Sequence, residues 1–159
     1  MNRHKPNLDA FSDRRDVIYV ITMFNEIEHS LTSILIDEIG APKEKQGFLK
    51  DILFNNAILP FSAKVKLFLH IRAAHNWPKI DANAFHQLMQ IRNQFAHSRR
   101  IQHVTLAINE AKSEKIMMSS ISGSGELLAV DTAKALDEFT QQWVKVSDYL
   151  RELRKKKKI

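Results

Sequence analysis

The chain contains no cysteine. Disulfides, thiolate metal sites and cysteine nucleophiles are therefore excluded, and the absence suits a reducing compartment. Glycine is scarce, with four in 159 residues, and no Gly-rich phosphate loop can be assembled from them. Proline is equally scarce at four, so each one reads as a boundary rather than as part of a loop-rich segment. No apolar run approaches the length of a membrane span; "VIYVITMF" at 17–24 is among the longest. The opening "MNRHKPNLDAFSDRRD" has no apolar stretch of the kind a secretory signal needs. A soluble, cytoplasmic protein without a membrane partner is expected.

What remains is an ordinary globular composition, 44% hydrophobic and 26% charged, in a chain long enough for one domain with its own core. A single domain over 1–159 is expected, with a polar lead at 1–11 and a basic tail at 152–159. The net charge is +6, but "RELRKKKK" at 151–158 carries six basic residues and one acid. The basicity is thus a property of the tail rather than of a folded basic face. A cationic helix end is favoured by the helix dipole; affinity for nucleic acid or an acidic partner is the sharper reading.

Helical periodicity dominates. Ser12 can cap a helix beginning near Asp13, along which Val17, Val20, Ile21, Phe24, Ile27, Leu31, Ile34, Leu35 and Ile39 recur at helical spacing. Gly40 is the expected C-terminal cap, with Pro42 beyond it. The stretch 43–55 reads as a shorter helix or helix and loop. After Pro60, Ser62 can cap a third helix with Val65, Leu67, Phe68 and Ile71 inward and Leu69 at the margin. Asp81 can cap a fourth, from Ala82 to about Ser98, packing through Phe85, Leu88, Met89, Ile91 and Phe95. "HVTLAIN" at 103–109 alternates like a strand and "KIMMSSIS" at 115–122 can pair with it, the turn falling at "EAKSE", 110–114. "GSG" at 123–125 is a flexible break. A last helix runs from about Asp131 into the basic tail, with Ala135, Leu136, Phe139, Trp143, Val146 and Leu150 as its buried stripe. The expected fold is mainly α: an antiparallel bundle of four to five helices with a small β-hairpin before the last.

Two stretches carry more than periodicity. "NAILPFSAKVKLFLHI" at 56–71 and "IRNQFAHS" at 91–98 together resemble the mannitol-operon-repressor-like branch of the HEPN superfamily. The shared pattern is a Phe-Ser-Ala-Lys helix start followed by an Arg-Asn-x-Phe-Ala-His helix end. The resemblance covers the middle third of the chain directly. It implies a helical bundle that dimerises with the Arg-x4-His helices near the two-fold axis. In nuclease members the arginine and histidine are catalytic without metal, positions held here by Arg92 and His97, with Asn93 the polar neighbour. It also allows a non-catalytic transcriptional regulator that acts through protein contacts. The partners implied are a second copy of the chain, RNA, and a regulatory protein or antitoxin of the kind that restrains a toxin or antiphage effector. No cofactor is implied.

The chemistry fits those residue types. RNA supplies its own nucleophile, the 2′-hydroxyl. A histidine can move protons near neutral pH. An arginine stays charged and forks onto phosphate oxygens. Asn93 can donate to phosphate or ribose, and Ser98, Arg99 and Arg100 can bind or steer the strand. Five residues apart on a regular helix, Arg92 and His97 sit about 140° around the axis and about 7.5 Å along it, so one copy converges poorly and a second copy is expected to complete the site. The competing reading is structural: His97 as a C-terminal cap, Arg92 in an ion pair, Asn93 bonded to backbone.

Other candidates are weaker. The seven histidines include no His-Glu-x-x-His, and His70 and His75 are five apart, so no metal site is expected. Ser62 with Lys64 and Lys66 can hold an anion at a helix start, although a cap with solvated lysines is the preferred reading. Trp77 and Trp143 read as packing residues, and Met117 and Met118 as core filler.

Overall fold

The computed structural model describes residues 9–97, 100–108, 111–121 and 126–157. Five α-helices are present: α1 (Asp9–Ile39), α2 (Lys43–Phe48), α3 (Phe61–Ala74), α4 (Ala82–His97) and α5 (Thr132–Lys157). Three strands, β1 (Arg100–Ile108), β2 (Ala111–Ile121) and β3 (Leu127–Asp131), lie between α4 and α5. The fold is thus mainly α, with a small antiparallel sheet before the last helix. The chain divides into two compact units, residues 24–89 with 141–159 and residues 1–23 with 90–140.

The first of these units is a helical bundle whose core is a chain of aromatic rings. Phe24 on α1 lies 4.6 Å from Phe61 on α3, and Phe61 lies 6.4 Å from Phe85 on α4. Phe68 continues the line at 6.0 Å from Phe85 and 6.2 Å from Tyr149 on α5. Around them Ile27, Leu31, Ile34, Leu35, Val65, Leu88, Val146 and Leu150 are buried. Each such side chain contributes about 1.5–3 kcal/mol on burial. Trp77 packs the turn after α3, stacked on His75 with ring centroids 5.3 Å apart.

The helix boundaries have local causes. Gly40 adopts φ +67°, the left-handed conformation that reverses the chain after α1 at little cost only in glycine. Asp81 accepts from the Asn83 amide through Oδ1 at 3.0 Å, capping α4. Asp131 does the same for α5, accepting from the Lys134 amide at 3.1 Å. Two expected caps are displaced. α1 is already under way at Asp9, so Ser12 lies inside it. α3 begins at Phe61 with Pro60 as its N-cap and no side-chain cap, so Ser62 does not cap. The Pro60 carbonyl takes the amides of Ala63 and Lys64 instead. Proline's fixed φ sets the chain up for a helix that starts one residue on. After α2, residues Leu49–Leu53 widen into a π-helical turn, closed by the Phe54 amide on the Leu49 carbonyl at 2.8 Å.

The buried stripe of α3 differs from the expected one. Phe61, Lys64, Val65 and Phe68 face inward, whereas Leu67 is 36% exposed. The stripe keeps the i, i+3, i+4, i+7 spacing of an inward face, and Lys64 occupies one of its positions. Ile39, expected inward, is 51% exposed as the last residue of α1.

In the second unit, Val20, Ile91, Phe95, Met118, Ala135 and Phe139 are buried, and Tyr19 meets Phe139 edge-on at 6.5 Å. The sheet is ordered β1-β2-β3 and antiparallel throughout. The β1–β2 register runs from Arg100↔Ser119 to Ile108↔Ala111. The hairpin is therefore present, but Lys112 to Glu114 are paired strand where a turn was expected. A third strand extends it, with Met117↔Asp131 to Ile121↔Leu127. Asp131 thus ends a strand and caps a helix at once. The expected break at 123–125 lies outside the described residues.

Candidate functional site at the end of helix α4

Helix α4 is anchored by apolar residues and lined by polar ones. Phe85, Leu88, Ile91 and Phe95 are buried, at the spacing that fixes one face inward. Rotation about the axis is thereby set. Gln90, Asn93 and His97 are all exposed, three and four residues apart, and so share one outward face. Arg92 lies off that line and is half-buried, its Nε beneath the surface.

The arginine does not stay on its own side. Its Nη1 donates to Asn93 Oδ1 at 3.1 Å. The guanidinium is turned toward the face that Asn93 shares with His97. Helical spacing separates Arg92 and His97 by about 140° around the axis, and Asn93, about 100° from Arg92, lies between them. His97, in the last turn of α4, is open to solvent.

Among the sequence candidates, Arg92, Asn93 and His97 are gathered at this helix end. Ser98 and Arg99 lie outside the described residues. Arg100 opens β1, paired with Ser119. Gln90 is a fourth polar residue on the face of Asn93 and His97 that the sequence reading passed over; its i−3 spacing from Asn93 is the signal that finds it. Among the described residues, no group of three or more His, Asp or Glu side chains is placed to hold a metal ion.

The Ser62–Lys64–Lys66 candidate is resolved differently from either sequence reading. Lys66 is exposed, as preferred, but Lys64 is not solvated. It is 2% exposed, with its Nζ donating to Glu28 Oε1 and to Asn56 Oδ1 at 3.3 Å. Asn56 Nδ2 in turn donates to Glu28 Oε2 at 2.9 Å. The three side chains satisfy one another and tie α1, α3 and the segment before α3 together. A buried ammonium needs a carboxylate and further hydrogen bonds to offset its desolvation, and the triad supplies both. Lys64 is therefore committed to this internal contact rather than to an incoming anion.

Comparison with known proteins finds no matching family model, and no curated protein or solved structure is significantly similar to the chain. Among the described residues, no helix is long and apolar enough to cross a membrane.

Proposed function

We propose that the protein is a metal-independent endoribonuclease of the HEPN type, with Arg92 and His97 catalytic and Asn93 supporting. The observation that carries this reading is the Arg92–Asn93 hydrogen bond on a solvent-open helix end, which turns the guanidinium toward the face of His97. Together with the Arg-Asn-x-Phe-Ala-His pattern, it supports a phosphate-handling site over a set of helix-end fixtures.

The reaction follows from what each group can do. The 2′-oxygen attacks the adjacent phosphorus, the bond from phosphorus to the 5′-oxygen breaks, and a 2′,3′-cyclic phosphate and a 5′-hydroxyl remain. His97 takes the 2′ proton, a task suited to imidazole near neutral pH. Arg92 stabilises the charge that builds on the phosphoryl oxygens. Asn93 Nδ2 donates to phosphate or ribose. A second copy of the chain, related by a two-fold axis, brings another His97 to protonate the leaving 5′-oxygen. The homodimer is thus part of the proposal, as is a cytoplasmic setting where RNA is at hand. Ser98, Arg99 and Arg100 are assigned to strand binding. Such an activity suits a toxin or antiphage effector restrained by a protein partner.

The test uses purified full-length protein, mixed cellular RNA and a chelator. The wild type is expected to cut, and Arg92→Ala and His97→Ala each to lose about a hundredfold or more in rate while keeping the helical circular dichroism of the wild type. RNA left intact by wild type and variants alike removes the enzyme and leaves the non-catalytic regulator acting through protein contacts.

A further inference from the structure

The short helix α2 and the π-helical turn that continues it, Leu49–Leu53, contain no buried residue. Three of their apolar side chains face solvent instead. Phe48 is 63% exposed, Ile52 50% and Leu53 42%, and Ile58 in the turn that follows is 58% exposed. Apolar area left in water forgoes the free energy that burial would bring, and clustered exposure of this kind marks a contact surface. The widened turn is what gathers the three on one face. In an α-helix Leu53, five residues on from Phe48, lies about 140° away around the axis. With i→i+5 closure, made by the Phe54 amide on the Leu49 carbonyl, the positions four and five on from Phe48 both come round beside it.

Charges of both signs border this apolar ridge. Glu44 and Lys45 lie one turn before Phe48, and Asp51 about one turn after it. Lys43 and Lys50 are on the same segment. All five are exposed, and none is in an ion pair among the described residues. Elsewhere in the same unit exposed charges do find partners, as in Lys145–Asp81, Arg151–Asp148 and Lys155–Glu152. The segment thus has the anatomy of half an interface, an apolar centre with a charged rim.

We propose that this face binds the same face of a second copy of the chain about a two-fold axis. The mixed rim selects that occupant. A two-fold contact sets a surface against itself, so one copy must carry both members of every charge pair. Three lysines and two acids on one segment meet that requirement. An anionic membrane or an acidic partner would set Glu44 and Asp51 against like charge, and a basic partner would do the same to the lysines. The contact is distinct from the two-fold proposed for α4. It lies in the unit that holds residues 24–89, whereas Arg92, Asn93 and His97 belong to the other. Two different two-fold contacts on one chain carry assembly past a dimer. The proposal stands whether or not Arg92 and His97 cut RNA.

Sedimentation equilibrium of the full-length protein over a range of concentrations tests it. Phe48→Glu and Ile52→Glu alter exposed side chains and are expected to keep the helical circular dichroism of the wild type. Each is expected to weaken association at this face about a hundredfold, so that the wild type is heavier than either at equal concentration. A second arm reads the rim alone. Lys43→Glu, Lys45→Glu and Lys50→Glu in one protein make it wholly acidic; Glu44→Lys and Asp51→Lys in another make it wholly basic. Each by itself is expected to weigh no more than the Ile52→Glu variant, and an equimolar mixture to regain the wild-type mass. A wild type no heavier than the Ile52→Glu variant at every concentration overturns the proposal. So does a mixture no heavier than its two components. Flotation of the wild type, but not of Phe48→Glu, with phosphatidylserine vesicles also overturns it and gives the face to a membrane.

Discussion

Lys64 occupies a core position of α3 because Glu28 and Asn56 complete its hydrogen bonding, and the three residues rise or fall together. Lys64→Met leaves the Glu28 carboxylate without its cation in a largely buried place. A loss of about 3 kcal/mol is expected, measured by urea unfolding. Adding Glu28→Leu is expected to restore much of that loss, since an apolar pair of similar volume avoids the desolvation of both charges. Two losses that simply add would show that the residues do not act as a unit. The sequence could not announce this burial. Lys64 and Lys66 look alike in "FSAKVK", and the difference lies in a carboxylate 36 residues away on α1. Arg92 and Asn93 are the opposite case: the resemblance carried by "IRNQFAHS" nominated them where helical spacing alone left the structural reading open, and the structure adds the bond between them.

At the scale of elements, the helices were legible because period and breakers agreed, even where the expected caps Ser12 and Ser62 do not cap. Gly40, Asp81 and Asp131 each stand where the chain reverses or a helix begins. Asp81→Ala is expected to cost about 1 kcal/mol by removing an acceptor from the first turn of α4, read as a lowered urea midpoint with an unchanged slope. The sheet was only half legible. "EAKSE" has the polar composition of a turn, but composition says nothing about a partner strand, and β2 extends through Lys112 to Glu114 because β1 is there to pair with it. β3 is five residues long, too short for alternation to stand out. The link between α5 and the turn after α3 was likewise hidden. Tyr149 donates its hydroxyl to the Pro78 carbonyl at 2.7 Å. Burial raises its phenol above the ordinary value of 10.0, against the opposing charge of Arg72. A group whose folded value is raised contributes stability in full below the unfolded value and loses it as pH climbs through the folded one. Stability is therefore expected to fall above about pH 10, and Tyr149→Phe to flatten that fall while costing about 1 kcal/mol at neutral pH. Denaturant midpoints at pH 8 to 11 measure both; a wild-type profile no steeper than that of the variant would contradict the assignment.

For the whole molecule, the central matter is whether the polar end of α4 does chemistry, and whether one copy suffices. α5 remains helical through Lys157, so most of the basic tail is carried on an ordered helix. There Lys155 also holds the Glu152 carboxyl below its ordinary value by a hydrogen bond. If two copies complete the site, the cleavage rate per chain should fall on dilution in step with the dimer fraction seen by sedimentation; a rate per chain independent of dilution across dissociation would place the whole site in one copy. The most direct measurement is of the RNA ends. A defined single-stranded RNA is incubated in chelator with wild-type protein or with His97→Ala, and the new termini are read by mass spectrometry. The account predicts 2′,3′-cyclic phosphates and 5′-hydroxyls with the wild type and their loss with the variant. Intact RNA in both reactions, or equal cleavage by both, would contradict it.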